Sequence, residues 1–309
     1  MKIKIIFATI ILSLFVGKVS AQSDINISNY WNENRYYINS AYINKNYLAE
    51  FSMVGRQQWT GFPGAPRSYF ATARMYWEEL QSQFGLKFFT EKHGYTSVTN
   101  ATLSYTYNLR LNRQWDLRFA LGGSYQNLSY DFSKMTASDP DELAFIYNMT
   151  QNPHYYNADL GFELANKSFV FGVSVKNLLS ALLDGNDGKY QNLLINSNYA
   201  YVMYRKHTAN LFDFSFGALG NQYENMYRGE FNATAHFKPN SDVEFFQVGL
   251  FFRTTEEVGF VYGINILPDF HVAYSYDYNF GNIRKAAVGT HELMLIYRIN
   301  HAKKCRNCW

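Results

Sequence analysis

The sequence predicts an all-β fold, a transmembrane antiparallel β-barrel of about 14 strands, and three observations predict it. Between Phe270 and Phe280 every second residue is Phe, Val, Tyr, Tyr, Tyr and Phe, and the residues between them are His271, Ala273, Ser275, Asp277 and Asn279. A period of two with an aromatic face and a small or polar face describes a strand between an apolar phase and a wet one. The composition agrees: 26 Tyr and 26 Phe stand against six Pro and 17% charged residues. Strong β formers dominate, and no run of 18 apolar residues follows the N-terminus. Finally, the connections segregate by length, short at one end and long at the other. A barrel with both termini at the periplasmic end requires that, and a soluble sandwich gives no reason for it.

The chain opens with Lys2 and Lys4, an apolar stretch from Ile5 to Val16 and the small-residue site Val19-Ser20-Ala21. This reads as a secretory signal peptide over residues 1–21. Its removal takes three lysines from the 28 basic residues and none of the 25 acidic ones. The mature chain is then neutral, and nothing in its charge invites nucleic acid. Residues 22–47, rich in Asn and Tyr, read as an N-terminal periplasmic extension, and their position also makes them the candidate plug of the lumen. The barrel follows over 48–300, and 301–309 form a C-terminal tail.

Strands are expected near 48–59, 67–78, 81–91, 96–111, 114–131, 154–166, 168–177, 194–207, 209–221, 225–237, 242–254, 256–267, 269–281 and 287–300. Alternation is clearest where Ala101, Leu103, Tyr105, Tyr107 and Leu109 oppose Thr102, Ser104, Thr106 and Asn108. Each segment has about the length that a tilted strand needs, ~9–11 residues, to cross a bilayer. The inner turns fall at Glu79–Leu80, Asn112–Arg113, Lys167, Thr208, Lys238–Ser241 and Pro268. The two long outer loops are 132–153 and 178–193. In the first, Asp139-Pro140 fits the start of a short helix. In the second, Asp184-Gly-Asn-Asp-Gly-Lys189 fails the EF-hand pattern because lysine holds the glycine position, and a turn is the better account. Cys305 and Cys308 lack the further ligands of a zinc site and the βαβ context of a redox motif; a disulfide or plain thiols in an exposed tail remain.

Strand phase turns Glu50, Ser52, Arg56 and Gln58 into the lumen and Phe51, Met53 and Trp59 outward. On the last two strands it turns Asp277 and Glu292 inward. A turn centred between Arg284 and Lys285 sets those two opposite each other. Closure makes the last strand the neighbour of the first, so Arg56, Asp277 and Glu292 meet near the outer end, with Arg253 and Glu257 two strands further round. Paired carboxylates can serve acid–base chemistry. No nucleophile, oxyanion donors or metal-ligand set accompany them, so a structural ion network at the seam is the expectation, with no catalytic residue, cofactor or metal site. His291 falls on the outward phase beside the aromatic band, and Trp59 and Trp77 fit the aromatic girdles of a lipid-facing surface.

Arg56-Gln-Gln58-Trp59 followed by Gly61-Phe-Pro63-Gly64-Ala-Pro66 resembles the signature near the N-terminus of the PorP/SprF family. Gly172-Val-Ser-Val-Lys-Asn177-Leu178, Tyr274-Ser-Tyr276-Asp277-Tyr278 and Gly289-Thr-His291-Glu292 are similar to further family motifs, in the same order. Asn39-Ser-Ala-Tyr42 departs from the family's usual Asn-Pro-Ala-Tyr and frees the backbone N–H and φ at position 40. The resemblance implies a bacterial outer-membrane protein, in contact with outer-membrane lipid, of the type IX secretion and gliding-motility systems. It implies a non-catalytic accessory in the export or anchoring of cargo bearing type IX C-terminal signal domains, large adhesins included. It also implies periplasmic partners: the ring lipoprotein of the secretion machine and a peptidoglycan-binding component. The residues by themselves indicate a non-enzymatic barrel with a polar lumen, for which a channel for a small solute is the alternative.

Overall fold

The computed structural model describes residues 29–130, 154–179, 196–208, 211–223, 226–239 and 244–301. The expected signal peptide, the bodies of the two long outer loops with their helix start and turn, and Cys305 and Cys308 lie outside the described residues.

Fourteen strands form one closed antiparallel barrel in which each strand pairs with its chain neighbours and β14 returns to β1. The strands are β1 (Tyr47–Gln57), β2 (Arg67–Trp77), β3 (Ser82–His93), β4 (Thr96–Arg110), β5 (Asp116–Tyr130), β6 (His154–Ala165) and β7 (Phe169–Lys176). They continue as β8 (Ser197–Lys206), β9 (Phe212–Tyr223), β10 (Met226–Phe237), β11 (Phe246–Arg253), β12 (Glu257–Leu267), β13 (Phe270–Asn279) and β14 (Thr290–Asn300). Every expected strand is present, with ends moved by a few residues. Short connections, such as 166–168 and 268–269, gather at the end that holds the start of β1 and the end of β14. The end of β5 and start of β6, and the end of β7 and start of β8, lie at the opposite, outer end.

The side chains invert the pattern of a soluble domain. Leu103, Met53 and Leu250 are each more than 60% exposed on the outside, whereas Arg253, Gln83 and Glu163 are no more than 1% exposed inside. Only a surrounding lipid phase makes that arrangement favourable, because the outward apolar side chains then leave water and closure satisfies every strand edge. Aromatic side chains link neighbouring strands on the outer face, as in the edge-on pairs Trp77–Phe84 at 5.6 Å and Phe119–Phe162 at 5.5 Å.

Two details of strand geometry differ from the expectation. The β13–β14 pairing sets Asp277 opposite Thr290 and Ser275 opposite Glu292. The turn is thus centred one residue earlier, between Ile283 and Arg284, because a 3-10 turn over Asn282–Lys285 takes up the connection. A two-residue register shift preserves phase, so Asp277 and Glu292 both still face inward, buried. Trp59 is not an outward strand residue: β1 ends at Gln57, and Trp59 sits in the following loop with φ +48°.

A charge on the lipid face should cost more the deeper it sits. Leu103→Arg, in mid-strand, is expected to destabilise the folded barrel by about 2–4 kcal/mol, whereas Leu267→Arg at the inner rim should cost about 0–1 kcal/mol. Urea unfolding in phospholipid vesicles measures both.

Candidate functional site: the occupied lumen and the outer seam

The expected periplasmic extension is corrected by the position of residues 29–46, which run inside the barrel. Tyr30, Trp31, Tyr36, Ile38 and Ala41 are at most 1% exposed there. The segment starts beside the outer ends of β13 and β14, makes a 3-10 turn at Arg35–Tyr37 and leaves at the inner end, where Tyr47 begins β1. Apolar side chains that strand phase turns inward meet it. Tyr30, Trp31, Tyr37 and Ile38 form one cluster with Val54, Phe70, Phe251, Met294 and Ile296. Tyr37 meets Phe70 edge-on at 4.5 Å, and Trp31 lies 5.8 Å from Tyr201. A water-filled lumen would have no use for these apolar side chains; they are the wall of a core.

Polar groups fix the segment at successive depths. Near the outer end, the Asn29 backbone N–H donates to Glu292 at 3.1 Å, and its amide nitrogen donates to Ser275 at 2.9 Å and to Asp277 at 3.1 Å. Its amide oxygen accepts from Arg253. Below, Trp31 donates to Glu230 at 2.5 Å and Asn34 donates to Ser52 at 2.7 Å. Tyr36 shares a hydrogen bond with Ser104 at 2.7 Å. The Asn39 amide donates to the carbonyl of Phe162 at 3.0 Å and to Tyr201 at 3.1 Å, while its oxygen accepts from the Ala41 N–H at 2.9 Å. The Ser40 hydroxyl accepts from Lys87 at 2.7 Å, a contact that a proline at this position would lack the hydroxyl to make. Near the inner end, Lys45 pairs with Asp116 at 2.7 Å. The wall is cut to this shape. A Cβ on Gly161 would stand 2.1 Å from the Asn39 side-chain oxygen, and one on Gly85 2.1 Å from the Tyr36 hydroxyl.

The charges named from sequence gather at the outer tier. Arg56 and Glu292 are direct partners across the β1–β14 closure, with 3.8 Å between Nε and Oε2. Arg253 pairs with Glu230 at 2.6 Å, Glu257 at 3.1 Å and Asp277 at 3.7 Å. Arg228 pairs with Glu257 at 3.6 Å. Three arginines thus face four carboxylates away from water, and Asn29 touches both the Arg253 group and Glu292. Sequence reasoning omitted Glu230, Arg228 and Asn29. The first two are inward-phase charges at the outer end of β10, legible by the same alternation; Asn29 has no strand phase to read. At the inner end, Glu244 lies between His236 at 3.0 Å and Arg205 at 2.9 Å. Burial there opposes ionisation, but the hydrogen bond and charge of His236 with the charge of Arg205 hold its carboxyl down to about 2.

The motif residues form a cap over the seam. The Gln58 N–H donates to Pro66 at 3.0 Å and closes the loop that holds Trp59, Gly61, Pro63 and Gly64. The Thr60 N–H donates to Gly289 at 2.8 Å and the Val288 N–H returns to Thr60 at 2.9 Å, so this loop docks on the β13–β14 connection. Gly289 has φ +147°, and a Cβ there would stand 2.5 Å from the Asp277 carbonyl; only glycine fits both limits. Tyr276 donates to the Val288 carbonyl at 2.7 Å and packs on His291 at 5.0 Å. Asn177 stands apart, after β7, with φ +57° and its N–H on Asp159 at 3.2 Å.

Removing Arg253 leaves Glu230, Glu257 and Asp277 buried without it, so Arg253→Met should cost about 3–5 kcal/mol. Asn29→Ala should cost about 1–3 kcal/mol through the partners it strands. The temperature at which the unboiled barrel loses its folded gel mobility ranks the two; equal retention by both variants would contradict the network.

The family described as type IX secretion system membrane protein PorP/SprF matches residues 19–297. No curated protein matches the chain. Among solved structures, the Acinetobacter baumannii outer membrane protein Omp33 is 11% identical, with 82% of this chain and 98% of that one covered and a TM-score of 0.47. The CymD monoaromatic hydrocarbon channel is 7% identical, with 94% and 97% covered and a TM-score of 0.48. The P. putida toluene transporter TodX is 7% identical, with 85% and 92% covered and a TM-score of 0.47. Likenesses this distant carry no information on transport or substrate. The family match spans most of the 309 residues, and the chain belongs to the PorP/SprF family of type IX secretion system membrane proteins.

Proposed function

We propose that this barrel is a non-catalytic accessory of type IX secretion. It anchors or assists the surface display of cargo with type IX C-terminal signal domains, large adhesins among them, and does not conduct a solute. The observation that carries this reading is the lumen: residues 29–46 occupy it from the outer charge tier to the inner rim, hydrogen-bonded at every level. Passage of a solute along the axis would require Trp31 to leave Glu230 and Arg35 to leave Glu163, which it meets at 3.4 Å. A fixed barrel with a filled lumen offers its rims for binding. On this reading the outer loops meet cargo. The inner rim, with the ends of β1 and β14, meets the periplasmic ring lipoprotein and the peptidoglycan-binding component.

Two measurements test it. In planar bilayers the full-length barrel should show no steady large openings, and a variant lacking residues 29–46 should show them; steady openings of the intact barrel would favour a channel. Deleting the gene should reduce surface display of at least one protein with a type IX signal domain. Unaltered display of all of them would sink the proposal.

A further inference from the structure

One rung of the lipid-facing surface near the outer rim is unlike the rest. Across six strands, from β13 through the closure to β4, paired neighbours run Tyr276, His291, Gln57, Arg67, Lys92 and Ser97. Arg67 and Lys92 are exposed on adjacent strands, directly opposite each other. Like charges in that position repel, and among the described residues no carboxylate shares the rung with them. The rung below, toward the membrane centre, runs Tyr274, Leu293, Gly55, Tyr69 and Thr90. Gly55 interrupts this row of large side chains. The nearest atoms to a Cβ built there are the Tyr69 ring carbons at 3.7 Å, so the space beyond is open. The result is a hollow of about 190 Å³ lined by this rung from Tyr274 to Tyr69, with Gln57, Arg67 and His291, and floored by the Arg56–Glu292 pair; Lys92 stands beside it, across from Arg67. His291 is held in place by a 2.7 Å hydrogen bond with Tyr274.

Two cations with amide and imidazole groups stand above an aromatic notch that opens into the lipid phase. We propose that this hollow binds a phosphate-bearing lipid of the outer leaflet, its phosphate on Arg67 and Lys92 and the start of one acyl chain in the notch left by Gly55. The chemistry fits on three counts. A guanidinium holds phosphate oxygens through paired N–H donors. An anionic headgroup relieves the repulsion between the facing cations. A chain in the notch covers the Tyr69 and Tyr274 rings, which the barrel alone leaves bare. The hollow lies beside the closure strands and shares Gln57 and His291 with the motif stretches. A bound lipid would therefore brace the seam from the side opposite the Arg56–Glu292 pair.

Native mass spectrometry of the full-length barrel released from micelles tests this. The probes are a bisphosphorylated glycolipid, the same glycolipid without phosphates, and inorganic phosphate as competitor. The wild type should retain one bisphosphorylated glycolipid. The phosphate-free form should bind at least ten-fold more weakly, and millimolar inorganic phosphate should not displace the lipid. R67Q/K92Q should weaken binding at least ten-fold, and Gly55→Trp should weaken it by filling the notch. R67K/K92R should retain binding, and Lys167→Gln, on an inner turn, should leave it unchanged. Folding of each variant is checked by its unboiled gel mobility, and single Lys92→Gln replaces the double variant if that fails to fold. Equal binding of the two glycolipids, unchanged binding by the charge variants, or full displacement by inorganic phosphate would each overturn the proposal.

Discussion

A charge enclosed by a barrel wall and shut off from water must find its counter-charge inside the barrel, and the rest of this structure depends on how that is met. Burying an unpaired ion costs several kcal/mol, and the outer tier buries seven. Strand pairing supplies part of the solution, since closure sets Arg56 opposite Glu292. It does not join that pair to the Arg253 group across β13. Asn29, from outside the sheet, does so with one backbone N–H and both ends of its side chain. The segment that follows then fills the space that the wall's inward Val54, Phe251, Met294 and Ile296 would otherwise present to water. Wall and filling are complementary, and glycines at 85 and 161 record the contact in the sequence.

The segment sits inside the barrel with residue 29 toward the outer rim, and it leads straight into β1. The β1–β14 pair encloses an occupied lumen, and of the two groups that meet across it, Arg56 and Glu292, Asn29 bonds Glu292. The motif loops then lock together above them through the reciprocal bonds of Thr60, Val288 and Gly289. Seen this way, these stretches serve first to close the barrel. The outward face of the same stretches is where a lipid, and the loops above are where cargo, would be met.

Much of the barrel is legible in the sequence because a strand's facing is local. Two-residue periodicity determines which of Phe51 and Ser52 sees lipid, and no distant contact changes the answer. Length segregation of the connections likewise needs only the positions of turns. Register is less legible: nothing local distinguishes a turn centred at 283.5 from one centred at 284.5, since both preserve phase. Trp59 escaped because a left-handed φ ends β1 two residues sooner than its apolar character suggests. The path of residues 29–46 was hidden most deeply. An irregular segment has no period, and its contacts span up to 263 residues. Its signals were indirect: apolar residues in inward phase, such as Phe70 and Met294, and an aromatic-rich stretch with no strand pattern to explain it.

Hydrogen exchange of the intact, refolded barrel tests the central claim most directly. In the structure the amides of Glu33, Asn34, Tyr37, Ile38, Asn39, Ala41 and Tyr42 are all hydrogen-bonded inside the lumen. Peptides covering residues 30–43 should exchange as slowly as peptides from the barrel strands, because opening them requires the packed lumen to open. Exchange at the rate of an unstructured chain would show that the segment lies outside the barrel, and would contradict the account.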